Sequence, residues 1–106
     1  MDEIKTACRD LLPILAGLSR TSLTIAEFKV LMALKCHGAL IASKVSRAIG
    51  STGHNQKLLT DLTEKKLIDK LKNTQNKSDN HSRYIYSINV NGEIELKKAL
   101  SEIEII

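Results

Sequence analysis

The spacing of apolar residues changes along this chain from a helical period to a period of two, and a polar, basic stretch marks the change. Helical spacing links Ile25, Phe28, Leu31 and Met32, then Leu40, Val45 and Ile49, then Leu58, Leu59 and Leu62. Strict alternation follows at Tyr84, Tyr86, Ile88 and Val90, the pattern of a half-buried strand. Between the last helical segment and that strand lies 70–83, KLKNTQNKSDNHSR. Helices that lead into a polar, basic hairpin suggest a surface suited to a phosphate backbone.

The rest of the chain sets bounds on this reading. With 106 residues and 42% hydrophobic content, the chain supports one domain and one compact core. No apolar run is long enough to span a membrane. Asp2 and Glu3 stand where a secretory signal would be basic, so a soluble, cytoplasmic protein is expected. Net charge is +4 at pH 7. It is unevenly placed: segment 65–83 has six basic and two acidic residues, net +4, while 84–106 has two basic and four acidic, net −2. A field concentrated on the hairpin fits a polyanion partner, although a solvated lysine-rich turn has the same composition.

Local signals divide the chain. Ile4, Cys8, Leu11, Leu15 and Leu18 form one stripe of a first helix over 2–18, which Pro13 should kink or split. Gly17, Ser19, Thr21 and Ser22 read as a linker. Thr24 and Glu27 have the spacing of a capping box for a second helix running to about His37, with Gly38 as its left-handed stop. A third, short helix covers 41–49 and ends at Gly50. Ser51 or Thr52 is the expected N-cap of a fourth helix, about 52–66. Strands are expected over 67–72 and 83–90, with Asn91 and Gly92 ending the second. A last helix over 93–106 carries Leu96, Leu100 and Ile103 on one side, and Glu93 and Glu95 suit its dipole. Cys8 and Cys36 lie among apolar neighbours and are expected to be core fillers rather than a disulfide or redox pair.

This order of elements resembles the winged helix-turn-helix domain of MarR/SlyA-type and SarA-type bacterial transcription regulators. The run 24–34 (TIAEFKVLMAL) is similar to that family's opening core helix, and 39–50 (ALIASKVSRAIG) to its positioning helix. The run 58–68 (LLTDLTEKKLI) is similar to the end of its recognition helix and the step into the wing. Gly92 falls where the family often has a glycine opening the next helix. Lys66 stands where glycine is usual, which implies a different helix-to-strand turn. The resemblance covers about 24–100. It implies an α+β, mainly α fold: a three-helix core with a two-stranded β-hairpin wing, within one domain over 1–106. The core would span 24–90, flanked by helices over 1–18 and 93–106.

The function so implied is sequence-specific binding of double-stranded DNA. The fourth helix would enter the major groove, where base edges present a distinct pattern of donors and acceptors. Its candidate contacts are Ser51, Thr52, His54, Asn55, Gln56 and Lys57. Gln bonds adenine in two places and Lys donates to guanine O6 or N7. Asn55 also has the spacing of a polar residue turned inward. The wing would lie on the backbone or in the minor groove through Lys70, Lys72, Lys77, His81 and Arg83. Arg83 has a second reading as an ion-pair partner of Asp79 or Asp69, and the two tyrosines are expected in the core. A homodimer is expected, joined through Ile4, Cys8, Leu11 and Leu15 with Leu96, Leu100 and Ile103. Nothing calls for a metal, a cofactor or an enzyme: the His and Cys residues lack paired ligand spacing, and no nucleophile stands beside a base. Two other classes share the pattern, a winged-helix protein-interaction module and a plasmid or viral replication or partition protein.

Overall fold

A computed structural model describes residues 2–53, 55–72 and 84–103. Eight elements follow in order: α1 (Glu3–Ser19), α2 (Ile25–His37), β1 (Leu40–Ile41), α3 (Ala42–Ala48), α4 (Gln56–Glu64), β2 (Ile68–Lys72), β3 (Tyr84–Ile88) and α5 (Val90–Glu102). The strands form one antiparallel sheet in the order β1-β3-β2. The expected two-stranded hairpin is therefore a three-stranded sheet. Leu40 and Ile41 pair with Tyr86 and Ile85, a strand too short to leave a periodic signal. On the other side of β3 the register runs from Ile68↔Ile88 to Lys72↔Tyr84.

The helix ends show why these segments fold locally. Asp2 caps α1 by accepting the Lys5 amide at 3.0 Å. At α2 the Thr24 hydroxyl accepts the Glu27 amide at 3.1 Å, and the Glu27 carboxylate accepts the Thr24 amide at 2.9 Å. The capping box is thus complete. Gly38 ends α2 with φ +79°, and Gly50 follows α3 with φ +75°.

Several expectations change. Pro13 lies inside α1 without splitting it, and Gly17 and Ser19 belong to the helix rather than to a linker. Pro13 has no N–H to donate to the Arg9 carbonyl, but this stretch is exposed and water can take the missing bond. Gly17 instead permits close contact with α5. A Cβ there would sit 3.0 Å from both the Glu102 carbonyl oxygen and Ile103 Cγ2. Asn91 and Gly92 do not end a strand; they lie in the first turn of α5. Asn89 caps that helix by accepting the Gly92 amide at 2.9 Å.

Lys66 itself adopts φ +62°, so the turn from α4 to β2 has a left-handed residue without using glycine. The Lys66 and Leu67 amides then bond back to the Thr63 and Leu62 carbonyls.

The core is built from Val30, Leu31 and Leu34 of α2, Val45 of α3, Leu59 and Leu62 of α4, Ile68 and Tyr86 of the sheet, and Leu96 and Ala99 of α5. Each large aliphatic side chain so buried contributes roughly 1.5–3 kcal/mol. Cys8 and Cys36 are both exposed, against the expectation that they fill the core. The body that α2, α5 and the sheet enclose does not extend along the N-terminal part of α1, and Cys36 faces out near the end of α2.

Candidate nucleic-acid interface

Helix α4 is anchored on one side and open on the other. Leu59 and Leu62 are fully buried and Leu58 half-buried, while Gln56, Lys57, Thr60 and Glu64 are exposed. The hydrophilic edge that the sequence predicts therefore faces outward. The helix begins later than expected, at Gln56 rather than near Thr52, and among the described residues no side chain caps it.

Ser51, Gly53 and Asn55 form a polar cluster ahead of α4, tied to α3. The Asn55 Nδ2 donates to Ser46 Oγ at 2.7 Å and to the Gly53 carbonyl at 3.2 Å. The Ser51 hydroxyl donates to Asn55 Oδ1 at 3.4 Å and accepts the Gly53 amide at 3.3 Å. Both donors of the Asn55 amide are thus engaged within the chain, in line with its inward-turned reading. Thr52 is exposed. His54 lies outside the described residues.

The other end of α4 is held by an ion pair. Lys65 Nζ donates to Glu27 Oε2 at 2.6 Å. Glu27 is 3% exposed and Lys65 keeps an open side toward water. Burial pushes the Glu27 carboxyl up, but the Lys65 ammonium and the Thr24 amide outweigh it and hold the group below its ordinary value. One helix thus has two polar ties, Asn55–Ser46 at its start and Lys65–Glu27 at its end, around a leucine seat. A helix fixed at both ends presents its outer edge in one orientation, which recognition of a rigid duplex requires.

Lys70 and Lys72 are exposed on β2, an edge strand of the sheet. Lys70 Nζ lies 4.2 Å from the centroid of the Tyr84 ring. Tyr84 is exposed, whereas Tyr86 is buried as expected. The two share a face of β3, but only Tyr86 reaches the helical layer. Asp69 accepts a bond from Asn89 Nδ2 at 3.2 Å. Lys77, His81 and Arg83, with Asp79, lie outside the described residues. Two cations that the sequence reading left out, Lys44 and Arg47, are exposed on α3. Val45 and Ile49, the apolar positions of that helix, already placed them on its outer side.

The residues expected to join two copies divide into two groups. Ile4, Cys8, Leu11 and Leu15 are exposed on α1, and Leu12 beside them is exposed as well. Leu96 and Ile103 are instead buried in the chain's own core, with Leu100 half-buried against it. This corrects the expectation for the last helix. Its apolar side packs on α2 and on the end of α1, so it is not an open stripe. Among the described residues, no helix is long and apolar enough to cross a membrane.

No family model and no curated protein matches the chain. Solved structures do. The YusO protein from Bacillus subtilis is 22% identical and superposes with a TM-score of 0.75 over 95% of this chain and 70% of its own. A mutant MarR from E. coli complexed with operator DNA is 18% identical, with a TM-score of 0.74 over 91% of this chain and 66% of its own. The transcriptional repressor CouR, bound to a 23-mer DNA duplex, is 17% identical, with a TM-score of 0.74 over 93% and 68%. The fold is the MarR-type winged helix-turn-helix.

Proposed function

We propose that this winged helix-turn-helix chain is a transcription regulator that binds double-stranded DNA sequence-specifically as a homodimer. The observation that carries the reading is the amphipathic seat of α4, which buries Leu59 and Leu62 and exposes Gln56, Lys57 and Thr60. The same fold occurs in MarR and CouR, whose structures are described with operator DNA and with a DNA duplex. An α-helix fits the major groove, and the N-terminal residues of such a helix reach base edges. In this reading Gln56 and Lys57 read bases, and Thr52 and His54 are further candidate contacts. Lys70 and Lys72 neutralise phosphates, joined by Lys77, His81 and Arg83 in the wing and by Lys44 and Arg47 from α3. Ser51 and Asn55 shape the turn.

A homodimer is supported by Ile4, Leu11, Leu12 and Leu15, which leave α1 with an apolar face open to water. A two-fold dimer places two recognition helices about 34 Å apart, one turn of B-DNA. The compartment of such a protein is the one that holds its DNA target, the cytoplasm.

One observation favours the second reading, a protein-interaction module. The turn before α4 uses Ser51 and Asn55 internally and carries no permanent charge. A mobility-shift assay at low salt on mixed-sequence duplex separates the two. A regulator binds, weakens in Lys57→Ala, and loses roughly 0.9 of slope in log K against log salt for each phosphate contact removed by Lys70→Ala or Lys72→Ala. Absence of binding at any salt leaves the protein-interaction module. Light scattering that finds only monomer at high concentration refutes the dimer.

A further inference from the structure

Tyr86 occupies the centre of the sheet, opposite Leu40 of β1 and Lys70 of β2, and is 2% exposed. A phenol this deeply buried needs a partner for its hydroxyl. Among the described residues that partner is Gln56, whose Nε2 donates to the Tyr86 hydroxyl oxygen across 3.4 Å. Gln56 is exposed and is the first residue of α4. A side chain rooted in the sheet therefore holds the tip of a side chain at the very turn of α4 that the proposed function puts against base edges.

The chemistry of the amide gives that contact a consequence. A glutamine amide has two N–H donors and one carbonyl acceptor. Two-point recognition of adenine uses one N–H toward N7 and the carbonyl toward the N6 amino group. A bond to Tyr86 occupies one donor and leaves the other, together with Oε1, for a base. An untethered glutamine would lose rotamer freedom on binding, and its amide would be as free to turn its donors outward as its acceptor. Tethering one N–H removes most of that freedom beforehand.

We infer that Tyr86 is a positioning residue for base recognition: its hydroxyl holds the Gln56 amide so that Oε1 and the second N–H face an adenine. The inference rests on the DNA-binding reading and deepens it, naming the base that the first turn of α4 selects and the residue that sets the selection.

The test starts by selecting bound fragments from a random duplex library with the full chain. Affinity is then measured for the selected duplex, for versions with each A·T pair replaced by G·C, and for one with 7-deazaadenine at the most sensitive position. Gln56→Ala is expected to abolish the preference for A·T at one position. Tyr86→Phe, which keeps the ring and its packing, is expected to lower that preference about two- to tenfold. It should leave affinity for mixed DNA and its salt slope unchanged, as a loss of fold would not. In the double variant, Tyr86→Phe should cost nothing beyond Gln56→Ala. A Tyr86→Phe protein that prefers A·T as strongly as wild type overturns the inference, and so do losses that multiply in the double variant. If the library yields no bound duplex, the DNA-binding reading falls and takes the inference with it; a selected site read equally well by Tyr86→Phe overturns the inference alone.

Discussion

Adding one methyl group at Gly92 tests how α5 is seated. A Cβ there would stand 2.1 Å from the Leu67 carbonyl oxygen, 2.7 Å from Ile88 Cγ1 and 3.1 Å from the Leu67 carbonyl carbon. A carbon approaches a carbonyl oxygen to about 3.3 Å, so the start of α5 must recede by about 1 Å. Three of the bonds at that start are Asn89 N–H to the Leu67 carbonyl at 3.3 Å, Asn89 Nδ2 to the Lys66 carbonyl at 2.9 Å, and Gly92 N–H to Asn89 Oδ1 at 2.9 Å. Receding strains all three and lifts Leu96 from the core. Overpacking costs about 1–3 kcal/mol, and the upper end applies because backbone rather than a side-chain tip must give way. Loss of the Asn89 cap adds about 1 kcal/mol. Gly→Ala returns up to about 1 kcal/mol through the unfolded chain. Gly92→Ala should therefore lose about 3 kcal/mol, or roughly 12 °C in Tm for a domain of this size. Gly53→Ala is the control, because among the described residues nothing lies within 4 Å of a Cβ at that position. It should change stability by less than about 0.5 kcal/mol. Urea unfolding followed by far-UV circular dichroism reads both, provided the m-value holds. A Gly92→Ala midpoint as close to wild type as that of Gly53→Ala refutes the claim that α5 rests directly on the Leu67 carbonyl.

Three further predictions concern the ends of α4. Because the Glu27 carboxyl is held below its ordinary value, its ionised form favours the fold. The stability this contributes is complete above the ordinary carboxylate range and is lost as pH falls through the lowered folded value. Unfolding midpoints should show wild type more stable than Glu27→Gln by about 1–2 kcal/mol near neutrality, with the gap closing in acid; a gap that does not depend on pH contradicts the assignment. At Lys66, with φ +62°, Lys66→Gly should be neutral or stabilising by up to about 1 kcal/mol, because relief of the left-handed backbone offsets the extra entropy of glycine. Lys66→Val should cost about 1–2 kcal/mol, and equal midpoints for the two variants would rule the strain out. Asn55→Ala removes the bonds to Ser46 and Gly53 and should lower stability by about 1 kcal/mol, while weakening DNA binding more than Ser46→Ala does. Urea titration and mobility shift together check this last pair, and a variant that binds DNA as wild type does would show that the tie is dispensable for presenting α4.

What the sequence determined by itself was whatever neighbouring residues decide among themselves. Thr24 and Glu27 cap one helix across three positions, Gly38 ends it, and the spacing of Leu58, Leu59 and Leu62 sets which side of α4 is buried. These depend on local hydrogen bonds and on periodicity, both written in a few consecutive residues. Tertiary contact decided the rest. Leu40 and Ile41 become a strand only because Tyr86 and Ile85 lie alongside to pair with them. Asn91 and Gly92 look like a stop in isolation, yet Asn89 caps a helix there and the Leu67 carbonyl needs the space that glycine leaves. The start of α4 moves to Gln56 while Ser51 and Asn55 bond within the turn and to Ser46 of α3, a partner that spacing along the chain does not reveal. Leu96 and Leu15 read alike as members of apolar stripes. One is buried and the other exposed because the packed body reaches α5 along its length but meets α1 only at its C-terminal end, on the side of Ile14, Gly17 and Leu18, from which Leu15 is turned away. Burial belongs to pairs of surfaces, so a stripe on one helix cannot say which neighbour will cover it.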